Sequence, residues 1–516
     1  MRLIDLFDRG VAISPDRVCL KDDRTSLSFS EVKARSCRFA NAIAAAGYSP
    51  GQKAAIYSPN CVEGFVAMIG LFRSGVAWVP VNAKNAVAEN TYILDAFDVE
   101  ILFYHSDFEA ILDRIRADCP KIRELVCIDR TGSSAPAMQD WWAEAPATDP
   151  DVALKPGDLV GILSSGGTTG RPKGIMLTQL NWVTMIANYY ATVDPGPDPV
   201  HLCVAPMTHA AGVLALTLMA AGGTSVILPG FDAAWVAAAI EAEGVTHLFL
   251  PPTAIYMLLA YPGLGDHDHS SLRQFMYAAA PMAIDKLREC LKTFGPVMMQ
   301  TFGQAESPMF CTILKPEDHL VLDDPARLHR LASCGRPTLL TPVAIMDDDG
   351  NLLPRGEPGE IVVRGNLVMT GYYKNPQATA EVSQFGWHHT GDIGRIDDDG
   401  FLYIVDRKKD MIISGGFNVY PSEVEQVIWS HPAVQDCAVI GVPDDKWGEA
   451  VKAVLELKPG ASVDAAEIIA MCKSRLGSVK APKSVEVWDE LPRSPVGKVR
   501  KKDIRDVYWA DRKRMI

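Results

Sequence analysis

The sequence lacks every short-range cysteine pattern. Its 11 cysteines are scattered singly from Cys19 to Cys472, with no CxxC pair and an odd total, so neither a zinc site nor a complete disulfide framework is indicated. A reducing cytoplasm is the expected compartment. The chain also lacks a membrane-spanning run: the most apolar stretch, 213–228, is interrupted by Gly222 and Gly223 and falls short of the roughly 20 residues a spanning helix needs. That stretch is read as buried core, and no integral membrane association is expected. The opening segment MRLIDLFDRG mixes charges into its apolar positions, unlike the continuous apolar region of a signal peptide, so export is not expected. Positive charge is scarce as well. With 50 Lys and Arg against 63 Asp and Glu, the formal net charge is −13, which excludes non-specific attraction to nucleic acid or anionic membrane. An anionic ligand would need a local basic site. No fixed-period repeat is present.

What remains is an ordinary globular composition, 48% hydrophobic and 22% charged, in a chain of 516 residues. That length exceeds a single compact core and calls for more than one domain. Apolar strand-like runs, AAIYSP and AWVPVN, alternate with helical patterns such as EVKARSCRFANAIAAAG, and the alternation resumes with SVILPG, DAAWVAAAIEAEG and THLFLPP. Such layering predicts two α/β units with parallel sheets covered by helices. From Ala326 to Asp406 the texture changes to short β segments, VAIMD, GEIVVRG and GFLYIVD, separated by Gly, Asp and Pro turns. A smaller β-rich subdomain is predicted there. A boundary follows at the charged run RKKD, 407–410, after which a fresh βαβ-like series begins at Met411.

The segment LSSGGTTGRPKG, 163–174, follows the strand-like run DLVGIL. A glycine-rich turn after a strand brings backbone amides close to a phosphate, because Gly166, Gly167 and Gly170 accept tight geometry without Cβ clashes. Ser165, Thr168 and Thr169 add hydroxyls, and Lys173 adds a point charge. The spacing is not that of a Walker A motif, since Gly174 follows Lys173.

This segment resembles the phosphate loop of the adenylate-forming superfamily, which contains acyl- and aryl-CoA synthetases, firefly-type luciferases and peptide-synthetase adenylation domains. Further motifs occur in the order the resemblance implies, from about Leu27 to Lys501. The turn Ala278, Ala279, Ala280, Pro281 resembles the adenine-binding turn. Thr301, Phe302, Gly303, Gln304 and Ala305 resemble the nucleotide-binding segment that ends in a magnesium-binding glutamate, here Glu306, with Thr168 as its companion. Asp392 resembles the ribose-binding aspartate, and Arg407 would reinforce ribose and phosphate binding. Gly415 and Gly416 resemble the loop that lines the pantetheine tunnel, and Lys498 stands where the family carries its adenylation lysine. Two positions depart from the usual pattern: Gly166 and Ala305 each stand where a hydroxyl is common.

The resemblance implies an α/β fold in which a large N-terminal domain, 1–406, contains two α/β subdomains and a β-rich subdomain. A hinge at 407–410, pivoting on Lys409, would lead to a small mobile α+β domain, 411–516. It further implies an AMP-forming acid–CoA ligase using ATP, Mg2+ and coenzyme A. The segment 206–223, headed by His209, would form the acyl pocket, and it holds no acidic residue to pair with an amino acid's ammonium. Apolar aliphatic and aromatic acids both remain, as do two alternatives: an acyl-AMP ligase serving a carrier protein, and a degenerate nucleotide-binding protein. Oligomeric state, a homodimer included, is left open.

Overall fold

The computed structural model describes residues 1–130, 135–165, 171–280, 282–493 and 499–510. Among the described residues, strands gather into four sheets. The first has seven strands in the order Gly371–Tyr372, Gly174–Thr178, Leu159–Ser164, Ala77–Asn82, Lys53–Ser58, Ile101–Tyr104 and Glu124–Cys127. Its five later members run parallel, as the βα alternation predicts, while the first three pair antiparallel at one edge. The second sheet has nine strands and is parallel from Val18–Lys21 through Met298–Phe302, with antiparallel strands at both edges.

Helix Phe29–Ala45 starts where Ser28 accepts from the Glu31 amide while Glu31 accepts from the Ser28 amide, so two amides at the helix entrance are satisfied reciprocally. Its Phe39 ring lies against Gly70 of helix Val62–Ser74, where an added Cβ would sit 2.5 Å from the ring. Only glycine permits that approach. Helix Val62–Ser74 is buried at every position except Glu63, which matches a sequence that is apolar all round. The segment 213–228, read as buried core, is helix Ala210–Met219 followed by strand Thr224–Ile227. Its apolar side chains pack into the two largest core clusters.

The β-rich segment forms a five-stranded antiparallel sheet built on Trp387–Ile396, which pairs with Gly359–Val363, Ser383–Gln384 and Leu402–Arg407. Beyond 410 the βαβ expectation holds in part: Gly448–Leu457, helix Ala465–Lys480 and Ser484–Val487 form such a unit, but an antiparallel hairpin precedes it. Strands Val434–Asp444 and Gly448–Leu457 form an antiparallel hairpin, and only Ser484–Val487 joins Gly448–Leu457 in parallel. The physical reason is the short connection 445–447: it can reverse the chain but cannot hold the crossover that parallel strands need. Helices Pro421–Trp429 and Ala465–Lys480 complete an α+β unit with its own core. No helix among the described residues is long and apolar enough to cross a membrane.

Candidate active site

The two strands flanking the glycine-rich loop are antiparallel neighbours, and Ser164 pairs with Gly174. The loop is closed at its base because the Ser165 amide donates to the Lys173 carbonyl at 2.8 Å and the Lys173 amide donates to the Ser165 hydroxyl at 2.9 Å. Gly166, Gly167, Thr168, Thr169 and Gly170 lie outside the described residues. Lys173 sends its ammonium over the ring of Tyr372, 4.2 Å from the centroid. Tyr372 sits on the edge strand beside Ile175, and its hydroxyl donates to Glu306 Oε1 at 2.8 Å. One tyrosine therefore joins the lysine of the loop to the candidate metal ligand. Burial, followed by the nearby Glu306 carboxylate, pushes the Tyr372 hydroxyl well above the usual tyrosine range, so it stays a neutral donor.

Two of the remaining nucleotide candidates, the turn 278–280 and the segment 301–305, lie at the carboxyl ends of the nine-stranded sheet, where ligands bind in open α/β sheets. After strand Gln274–Tyr277 the chain enters the turn 278–280, in which Ala279 has φ 77°, a left-handed conformation that strains a non-glycine residue. Pro281 lies outside the described residues. Strand Met298–Phe302 delivers Thr301 and Phe302 into the core and then Gly303 and Gln304 to the site. The Thr301 hydroxyl is buried without a partner among the described residues. The Gln304 side-chain amide donates to the Thr390 carbonyl at 2.7 Å and to Asp392 Oδ2 at 2.8 Å, tying this sheet to the β-rich one. Ala305 packs against the core.

Asp392 and Arg407 face each other across neighbouring strands, with Nε to Oδ1 at 2.7 Å. The aspartate is buried and the guanidinium is about half exposed, so the pair offers a fixed acceptor beside a reachable cation. A cavity of about 290 Å³ opens next to it, lined by Gln304, Glu306, Tyr372, His388, Glu360 and Lys408 among others. Burial alone would raise the Glu360 carboxyl, but hydrogen bonds from His389 and Lys408 outweigh it and hold the group below its usual range.

His209 is exposed at the head of helix Ala210–Met219, so it is not a packed core histidine. Its Nδ1 lies 2.9 Å from the Thr208 hydroxyl. The loop leading to it is gripped by Asn60. That side chain donates to the carbonyls of Val204, Ala205 and Leu228 at 3.3, 3.1 and 3.2 Å, and it accepts from the Met207 amide at 2.7 Å. Sequence reasoning missed Asn60 and Tyr372. Each acts across two sheets, and neither stands in a pattern that marks it.

In the C-terminal unit, Lys409 lies in the single 3-10 turn Lys408–Asp410. Gly415 and Gly416 adopt φ 59° and 84°, and an added Cβ at Gly415 would meet the Trp447 ring at 2.6 Å. Lys498 lies outside the described residues. Arg493 and Val499, the described residues on either side of it, form an antiparallel bridge. Arg493 is anchored on Asp436 and Glu456 at 2.8 and 3.0 Å, and Lys501 on Glu425 at 2.8 Å.

The family profile described as AMP-binding enzyme matches residues 7–373, and that of the AMP-binding enzyme C-terminal domain matches residues 423–498. The chain is 36% identical over 501 residues to the medium/long-chain-fatty-acid–CoA ligase FadD8 of Mycobacterium tuberculosis, covering 94% of this chain and 86% of that one. It is 35% identical over 499 residues to a feruloyl-CoA synthase of Amycolatopsis sp, covering 96% and 97%. Among solved structures, ATP-bound MatB from Rhodopseudomonas palustris superposes with a TM-score of 0.87 at 29% identity, covering 99% of each chain.

Proposed function

Because the chain belongs to the family of AMP-binding enzymes, we propose that the cluster around Glu306, Lys173 and Asp392 is where ATP and a carboxylic acid are joined. The protein is an AMP-forming acid–CoA ligase, which makes an acyl-adenylate and then an acyl-CoA thioester from an apolar aliphatic or aromatic acid. ATP is required because a carboxylate offers a thiol no adequate leaving group. In the first step a carboxylate oxygen attacks the α-phosphorus as the α–β bridging bond breaks, yielding the mixed anhydride and pyrophosphate. In the second, the CoA sulfur attacks the acyl carbon and AMP departs.

The first step brings two anions together, so preorganised positive charge is the main requirement. In this reading the amides of 165–170, Lys173 and Lys498 supply it. Asp392 accepts from the ribose hydroxyls, Arg407 backs it, and Gln304 holds Asp392 in place. The turn 278–281 and the segment 301–305 take the adenine, and His209 borders the carboxylate end of the acid. Residues 1–406 form the substrate-binding domain and 407–410 the hinge. Residues 411–516 form the mobile unit that exchanges Lys498 for the Gly415–Gly416 loop between the two steps.

Glu306 fits a hard cation. Tyr372 occupies only Oε1, and among the described residues Oε2 has no hydrogen-bond partner. No group of three or more His, Cys, Asp or Glu side chains able to hold a metal occurs among the described residues, so the ion would be shared with phosphate oxygens and water. Mg2+ would there neutralise charge on the polyphosphate.

The observation that carries the reading is the convergence of Lys173, Glu306 and Asp392 from three separate chain segments through Tyr372 and Gln304. Acid-dependent exchange of labelled pyrophosphate into ATP, followed by loss of free CoA thiol, tests it over a panel of fatty and aromatic acids. Exchange with at least one acid is expected. Absence of exchange with every acid defeats the assignment, and exchange without thiol loss points to a carrier-protein acceptor.

A further inference from the structure

We propose that Tyr372 is a positioning residue that couples the phosphate-loop lysine to the metal-binding carboxylate: its hydroxyl holds Glu306 in one orientation and its ring seats Lys173. This rests on the reading of Glu306 and Lys173 given above and deepens it.

The geometry is specific. Tyr372 is buried, 5% exposed, so its ring has little freedom. Its amide donates to the Thr379 hydroxyl at 2.8 Å, and its carbonyl accepts from the Asn375 amide at 3.1 Å. Asn375 in turn caps helix Pro376–Val382, and Thr379 donates to the Asn375 carbonyl at 3.0 Å. The backbone of Tyr372 is thus clamped from the helix side and paired with Ile175 on the strand side. From this seat the ring lies under the Lys173 ammonium, and the hydroxyl reaches Glu306 Oε1. The Glu306 backbone is fixed as well, because its carbonyl accepts from the Met369 amide at 2.7 Å on the same segment as Tyr372. A carboxylate held by one oxygen presents the other in a constant direction, which is the preorganisation a shared cation needs. A tyrosine present only to fill the core would need neither the hydroxyl contact nor the lysine above it.

Tyr372→Phe keeps the ring and removes the hydroxyl. The half-saturating Mg2+ concentration in pyrophosphate exchange should rise about tenfold, the scale of one hydrogen bond to a charged group. Calorimetric titration with a non-hydrolysable ATP analogue should show the same weakening with Mg2+ present and unchanged affinity in EDTA, since Lys173 still lies over a ring. Tyr372→Leu removes the ring too, and should lower the metal-free affinity by a further two- to fivefold. The double variant Y372F/E306Q should be no worse toward Mg2+ than E306Q alone, because the hydroxyl acts only through that carboxylate. Mg2+ titrations of Y372F that overlay the wild type overturn the inference. So does an equal loss of affinity with and without metal, which is what a packing defect would produce. If instead E306Q itself leaves Mg2+ dependence unchanged, the metal assignment of Glu306 falls, and the inference falls with it.

Discussion

Lys498, Asp392 and Asn60 do separable work, and substitutions at each should fail differently. Lys498→Ala should lower kcat for pyrophosphate exchange by about 10²- to 10³-fold, the usual effect of removing one preorganised transition-state donor. Thioester formation from preformed acyl-adenylate should stay within a few-fold of wild type, as single-turnover rapid quench would register. Asn60→Ala leaves three carbonyls and one amide of the 204–207 and 228 backbone without their shared partner. A stability loss of about 2 kcal/mol is expected by chemical denaturation. KM for the acid should rise at least fivefold while KM for ATP barely moves, because the loop leads to His209 and not to the nucleotide. Lys173, Glu306, Asp392 and Arg407 could be put forward from the sequence because each belongs to a local motif. Tyr372 and Asn60 were not, since their partners lie on other sheets and nothing in YYKNP or SPNC marks the side chain that crosses.

The element with most consequence is the short turn Lys408–Asp410. On one side, the buried Asp406 accepts from the amide of Ser422 at 2.8 Å, and on the other, Asp410 meets Arg505 at 3.1 Å. Burial pushes the Asp406 carboxyl above its usual range, as expected of a group enclosed against helix Pro421–Trp429. A rotation about Lys409 would have to break or re-form such contacts. Lys409→Pro, which restricts the backbone at the pivot, should leave pyrophosphate exchange within about twofold and depress thioester formation at least tenfold. Equal loss of both half-reactions would argue against the pivot. Helices such as Phe29–Ala45 were legible from their apolar period. The hairpin 434–457 was not legible because apolar strand runs look alike whether their neighbours are parallel or antiparallel.

Across the whole molecule, the nine-stranded sheet encloses titratable groups that the proposed chemistry does not use. His201 and His247 are cross-strand neighbours with no exposure, and burial lowers each to about 3, with His247 adding to the effect on His201. His319, bonded to Tyr277 and the Lys315 carbonyl, is lowered to about 4 by burial. Each is neutral in the fold and titrates near 6.5 when unfolded, so its contribution to stability is complete above pH 6.5 and is lost as pH falls toward the folded value. The slope is about 1.4 kcal/mol per histidine per pH unit within that window. Melting temperature should therefore drop steeply between pH 6 and 4. In the variant H201F/H247F the drop should be shallower, whatever its absolute stability; an unchanged slope would show that other groups govern acid unfolding.

By itself the sequence determined the fold class, the kind of reaction and the presence of the loop and carboxylate motifs. These are properties of local pattern: apolar period, glycine spacing, and the presence or absence of charge in a segment. Only the tertiary structure decided that one tyrosine serves both Lys173 and Glu306, that Gln304 secures Asp392, that Asn60 grips the loop to His209, and that the C-terminal strands pair as a hairpin. Those facts depend on which strand edge lies beside which. That adjacency arises from burying apolar surface across the chain, and no window of neighbouring residues contains it.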